Sequence, residues 1–306
     1  MNINIEEYLN SLSDNITVLK VTEKNLTHLI DLSKFKKLIH LNCSYNQITS
    51  LQELPSTITA WACSFNQITS LPELPSILIH LNCSGNQITS LPELPSTLTD
   101  LFCSYNQITS LPELPSTLTY LGCSYNQITS LPELPSILIH LNCSDNQITS
   151  LPELPSTLTD LFCSNNQITS LPELPSTLTY LGCSSNKITS LPELPSNLTH
   201  LNCSINQIKS LPELHLQIDI LDYSNTPIYN IINIPVDINA INCIMRKINN
   251  FRELYYSLKY KNRFRDLLWK RIREPKIIAY YSPSKLTELL NGIEDEEEFH
   301  RVLSNW

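Results

Sequence analysis

Glycine is nearly missing from this chain, with four residues in 306. A phosphate-cradling loop needs clustered glycines so that backbone amides can approach the anion, and Gly85, Gly122 and Gly182 are too scattered to form one. Long apolar runs are also missing. The opening stretch MNINIEEYLNSL is acidic and has no secretory hydrophobic segment, so an intracellular protein is expected. No cysteine follows Cys243, and no serine stands in a strained strand-to-helix turn. Covalent catalysis is therefore left without a nucleophile, and the chain is expected not to be an enzyme and to need no cofactor.

What the chain does contain is a phrase repeated every twenty residues. In the unit from Leu98, LTDLFCSYNQITSLPELPST, residues Leu98, Leu101, Cys103, Asn106, Ile108 and Leu111 follow LxxLxLxxNxL, with cysteine in one leucine slot. Units of this length cannot bury their apolar side alone and must stack, which predicts a solenoid. The pattern resembles the leucine-rich repeat signature, which implies one short strand per unit in a parallel β-sheet horseshoe. Alternation places Leu101 and Cys103 inward and Asp100, Phe102 and Ser104 outward on the concave face. The recurring asparagine, Asn46 to Asn206, is expected to bond backbone groups of its own and the adjacent unit. In the second half, LPELP, Pro112 and Pro115 forbid a regular helix and predict an extended, polyproline-like convex side.

The LPxLP phrase, from about Leu51 to Leu214, resembles the short repeats of bacterial leucine-rich-repeat effector proteins. Some of those end in a ubiquitin-ligase domain with a catalytic cysteine, and the cysteine-free tail here cannot supply one. The wording CSxNQITSLPELPS, together with RFRDLLWKRIREPKIIAYYSPSKLTELL (residues 263–290), resembles leucine-rich repeat proteins of large, amoeba-infecting, mimivirus-like DNA viruses. That resemblance implies action in host cytoplasm or packaging in the particle.

All ten cysteines fall in one repeat slot, Cys43 through Cys243. They read as reduced, buried thiols in a ladder rather than as a disulfide framework or metal ligands. The histidines His40, His80, His140 and His200 also recur. His80 and His140 lie three repeats apart, about 15 Å, too far to share an ion, so no metal is expected.

Three regions are expected: an N-terminal cap over 1–32, the solenoid over 33–250, and a C-terminal helical tail over 251–306. Ile5 to Leu12 reads as a short helix. Two degraded units continue the period, with strands at Leu221-Asp222-Tyr223 and Ile241-Asn242-Cys243. A longer period appears too: residues 77–136 and 137–196 match as sixty-residue blocks.

Variation concentrates at three outward slots per unit. They present Asp100, Phe102, Tyr105, Tyr120 and Tyr125, with second-block counterparts Asp160, Phe162 and Tyr180. Aromatic and polar groups on one surface are what protein interfaces favour, so a protein partner on the concave face is expected. The alternatives are an adaptor that presents a target to a larger complex, such as a ubiquitin ligase, through the C-terminal helices, and a structural spacer with no specific partner. The glutamate column from Glu73 onward reads as a solvating stripe behind much of the net charge of −9. The tail is basic and aromatic, and Lys261, Arg265, Lys270, Arg271 and Arg273 form a candidate patch for docking or for anions. Nucleic acid or membrane binding there is the lesser expectation against a solvated helix face. The chain is expected to act as a monomer.

Overall fold

A computed structural model of the chain describes residues 11–29, 32–232, 238–247 and 249. The chain divides into two compact units, Met1–Met245 and Arg246–Trp306. The short helix and the tail expected at residues 5–12 and 251–306 lie outside the described residues, apart from 11 and 12.

Among the described residues, eleven strands, each three residues long, form one parallel sheet in sequence order. They are β1 (Val18–Lys20), β2 (His40–Asn42), β3 (Ala60–Ala62), β4 (His80–Asn82), β5 (Asp100–Phe102), β6 (Tyr120–Gly122), β7 (His140–Asn142), β8 (Asp160–Phe162), β9 (Tyr180–Gly182), β10 (His200–Asn202) and β11 (Ile220–Asp222). Every strand pairs with the next in unshifted register, so residues twenty apart sit side by side from β2 onward. β1 joins through Val18 beside His40, which carries the sheet into the stretch read as a cap. At the other end residues 238–247 are helical, not a strand. Cys243 is therefore exposed instead of occupying the ladder. Asn242 accepts from the Leu214 amide at 2.9 Å and donates to its carbonyl at 2.8 Å, so this helical stretch closes the last loop.

The core is a stack of identical layers. Leu98, Leu101, Cys103 and Ile108 have no exposed surface, and the same holds for their equivalents in neighbouring units. Each fully buried aliphatic side chain contributes about 1.5–3 kcal/mol. The returning LPELP segments are neither helix nor strand, and a turn closed from the Leu98 amide to the Pro95 carbonyl, 3.0 Å, leads back to the next strand. Thr97 and Thr117 add rungs on that side, donating to Leu78 and Leu98 carbonyls at 2.7 and 2.8 Å.

The asparagine column satisfies backbone groups that the core would otherwise strand. Asn166 accepts from the Ile148 amide at 2.9 Å and donates towards the carbonyls of Cys143, Cys163 and Ser164 at 3.0–3.2 Å. One amide thus ties two consecutive units. Thr226 takes this slot in the last turn, buried and donating to the Tyr223 carbonyl at 2.6 Å.

The cysteine ladder runs from Cys43 to Cys203, nine buried thiols. Burial pushes Cys43, Cys83, Cys143 and Cys203 up to about 12, with neighbouring charge adding to it at Cys203. Cys63, Cys103, Cys123, Cys163 and Cys183 are raised well above 9.0, by burial first and by adjacent thiols second.

Candidate interaction surface

The sheet face that does not look into the core consists of two rows of side chains. Along the first row His80, Asp100, Tyr120, His140, Asp160, Tyr180 and His200 sit shoulder to shoulder. Along the second, Phe102, Gly122, Asn142, Phe162 and Gly182 do the same. Of the expected residues, Asp100, Phe102, Tyr120, Asp160, Phe162 and Tyr180 lie here, each partly buried.

Their partial burial has a local cause. Phe102 packs on Tyr120 with ring centroids 4.6 Å apart, and Phe162 on Tyr180 at 4.5 Å. Both rings lean over the following glycine: a Cβ at Gly122 would lie 3.6 Å from Phe102 and 3.6 Å from Tyr120. The small residue gives the aromatic pair a seat against the backbone. Tyr120 further contacts His140, and Tyr180 contacts His200, both at 5.3 Å.

Two hydrogen-bonded His–Asp pairs on this face escaped the sequence reading. His80 Nδ1 lies 2.6 Å from Asp100 Oδ2, and His140 Nδ1 lies 2.7 Å from Asp160 Oδ2. A carboxylate can only accept, so the proton sits on Nδ1. Thr99 and Thr159 donate to the same oxygens. The signal was available: His and Asp stand twenty residues apart, hence on adjacent strands in one row. The next histidine in the row is three strands away, whereas the carboxylate is on the adjacent strand.

Tyr105 and Tyr125 are placed differently. Both follow a strand, in a turn with φ of 56° and 53°, and are exposed at 53% and 46%. Their rings stack at 4.2 Å with planes 9° apart. A hydrogen bond with Tyr105, followed by the Asp145 charge, raises the Tyr125 phenol above its usual value. They form a rim beside the sheet face rather than part of it, and the expected single patch is two neighbouring strips. Near the first strands Ala60 and Ala62 leave a shallow depression of about 270 Å³, bordered by His40, Asn42, His80, Asn82 and Phe102.

No group of three or more His, Cys, Asp or Glu among the described residues could hold a metal ion. No described helix is long and apolar enough to cross a membrane. The basic candidates Lys261, Arg265, Lys270, Arg271 and Arg273 lie outside the described residues.

Leucine-rich repeats, in their two-copy family form, match residues 78–116, 96–136, 116–156, 138–176 and 156–196. With the unbroken parallel ladder and twenty-residue turn, these matches decide the architecture. The fold is a leucine-rich repeat solenoid. Among solved structures, this solenoid resembles YopM from Yersinia enterocolitica WA-314 at 36% identity and TM-score 0.69, over 71% of this chain and 48% of that one. YopM from Yersinia pestis, a leucine-rich effector protein, aligns at 32% identity and TM-score 0.65, over 69% and 61%. The functional domain of InlJ from Listeria monocytogenes, which includes a cysteine ladder, aligns at 30% and 0.59, over 68% and 53%. The solenoid thus spans between 48% and 61% of the length of these relatives. The bacterial effector resemblance of the repeats is thereby supported. Comparison with curated proteins gives no match.

Proposed function

We propose that this chain is a non-enzymatic scaffold that binds another protein on the concave sheet face of its solenoid. Leucine-rich repeats serve in general as scaffolds for protein interaction. The observation that carries the reading is the face from β5 to β10, where Phe102, Tyr120, Phe162 and Tyr180 are seated against backbone glycines beside carboxylates and imidazoles. Rigidly held aromatics with polar neighbours offer large contact area at low entropy cost. Affinity capture from amoebal lysate tests it, comparing the intact chain with Phe102→Ala/Phe162→Ala. The expected outcome is a partner lost by the double variant, with circular dichroism and melting showing the repeats intact. A partner set unchanged by the substitutions would sink the reading.

The separate unit Arg246–Trp306 favours a second reading, in which the tail docks on larger machinery while the sheet face holds a target. That adaptor loses one partner and keeps another when Lys270, Arg271 and Arg273 become Gln. A binding class lost together with retention on heparin would instead assign the tail to anionic surfaces.

A further inference from the structure

The outward rows of the sheet repeat after three strands. Asp100 accepts from His80 and Thr99, and Phe102 packs on Tyr120; Asp160 accepts from His140 and Thr159, and Phe162 packs on Tyr180. The two constellations agree closely: 2.6 and 2.7 Å for the His–Asp contacts, 4.6 and 4.5 Å for the rings, with 32° between ring planes in both. In each, the histidine and the threonine converge on Oδ2. Among the described residues no partner reaches Oδ1 of either carboxylate. Each side chain keeps about a quarter of its surface exposed, 26% for Asp100 and 25% for Asp160. Each carboxylate is thus held in one orientation, with one acceptor oxygen unpaired among the described residues and an aromatic side chain on the next strand.

The surrounding charge has one sign. Between residues 38 and 208, Lys187 is the only lysine or arginine; Asp100 and Asp160 stand on the sheet face and Asp145 in the turn beside it, while the glutamates lie in the returning LPELP segments behind it. A planar cation answers both features, since a guanidinium can bond an open carboxylate oxygen while lying against an aromatic ring. Three strand spacings place the two constellations about 14 Å apart, and four residues of extended chain span about 13 Å.

Resting on the protein-binding reading, we propose that the sheet face holds two equivalent arginine sites. They fit an extended basic segment of the partner lying across the strands, with arginines four residues apart. Each arginine bonds Oδ1 of Asp100 or Asp160 and lies along the outer edge of Tyr120 or Tyr180, whose faces are taken by Phe102 and His140 or by Phe162 and His200.

The test uses the intact chain and end-blocked synthetic peptides in a Ser/Thr background, with binding read by fluorescence anisotropy at low salt. A peptide with arginines at positions i and i+4 is expected to bind roughly tenfold or more tightly than its single-arginine version. It should also bind more tightly than the i, i+2 and the lysine-pair versions. Asp100→Asn and Asp160→Asn, isosteric changes that keep the side-chain volume, should each reduce the pair to single-arginine affinity, and together abolish binding. Equal binding of one- and two-arginine peptides, or affinity indifferent to both substitutions, overturns the proposal. A peptide-library selection on the same chain separates its failure from that of the broader reading. Selected sequences that depend on Phe102 and Phe162 but lack paired arginines overturn the arginine sites alone. A selection yielding nothing that depends on the sheet face overturns both.

Discussion

At the scale of single residues, the turn after each strand carries an unusual cost. Tyr45, Phe65, Tyr105, Tyr125, Asp145, Asn165, Ser185 and Ile205 all hold φ between 52° and 58°, where side chains other than Gly, Asn and Asp are disfavoured. The ladder imposes it: the Ile205 amide bonds the Ser224 carbonyl at 2.8 Å and the Tyr105 amide bonds the Ser124 carbonyl at 2.9 Å, each reaching into the next unit. Ile205 is the extreme case, being β-branched and 52% exposed, so it regains little by packing. Asn165 occupies the equivalent slot and additionally donates to Asp145 at 3.0 Å. Ile205→Asn should therefore stabilise the protein by about 1 kcal/mol, since asparagine tolerates the left-handed region that isoleucine resists. Asn165→Ile should lose at least as much. Chemical denaturation of the two variants checks this, and a loss on Ile205→Asn would show that the turn is not strained.

At the scale of the repeat unit, stability rests on polar satisfaction as much as on leucine. Asn166 is 9% exposed and serves the Ile148 amide and three carbonyls. Asn166→Ala leaves buried donors and acceptors without partners, at about 2–4 kcal/mol in all. The neighbouring Gln167→Ala, on an exposed side chain, should fall within about 0.5 kcal/mol of wild type. Equal effects of the two substitutions would contradict the assignment of the asparagine column. This column, the inward Leu and Cys slots and the outward Asp and Phe could be read from periodicity, because each depends on alternation within one strand. What lay beyond it depended on neighbouring chain. The left-handed turn was hidden because tyrosine and phenylalanine in that slot run against backbone preference. Ile16, Leu19, Val21 and Leu26 keep the apolar spacing around Val18–Lys20 but have Lys24 in the asparagine slot, and that backbone completes an edge of the sheet. Ile241-Asn242-Cys243 keeps the phrase but sits in a helical stretch, so a matching triplet did not secure a strand. The His–Asp pairs needed comparison across strands, one unit apart.

For the solenoid as a whole, nine buried thiols act together. In the unfolded chain they titrate near 9.0, whereas in the fold burial holds four of them up to about 12 and the other five well above 9.0. Below about pH 8 both states carry the same protons and the ladder contributes no pH dependence. Above it the unfolded chain releases protons that the folded chain keeps, so stability falls as pH rises from 9 towards 12. Each thiol contributes a slope of up to about 1.4 kcal/mol per pH unit, and nine approach roughly 12 kcal/mol per unit. Because the layers are coupled only to their neighbours, the loss is spread along the whole stack. Alkaline unfolding should therefore be steep and begin between about pH 9 and pH 10 at room temperature, under reducing conditions that exclude disulfides. Replacing Cys103, Cys123 and Cys143 by Ala lowers stability at pH 7 through the lost volume, yet should shallow the alkaline slope by about a third, since six buried thiols remain. These opposite signs isolate the thiols from the tyrosines, which both proteins share. A slope unchanged by the triple substitution would mean that the buried ladder does not govern the response to base.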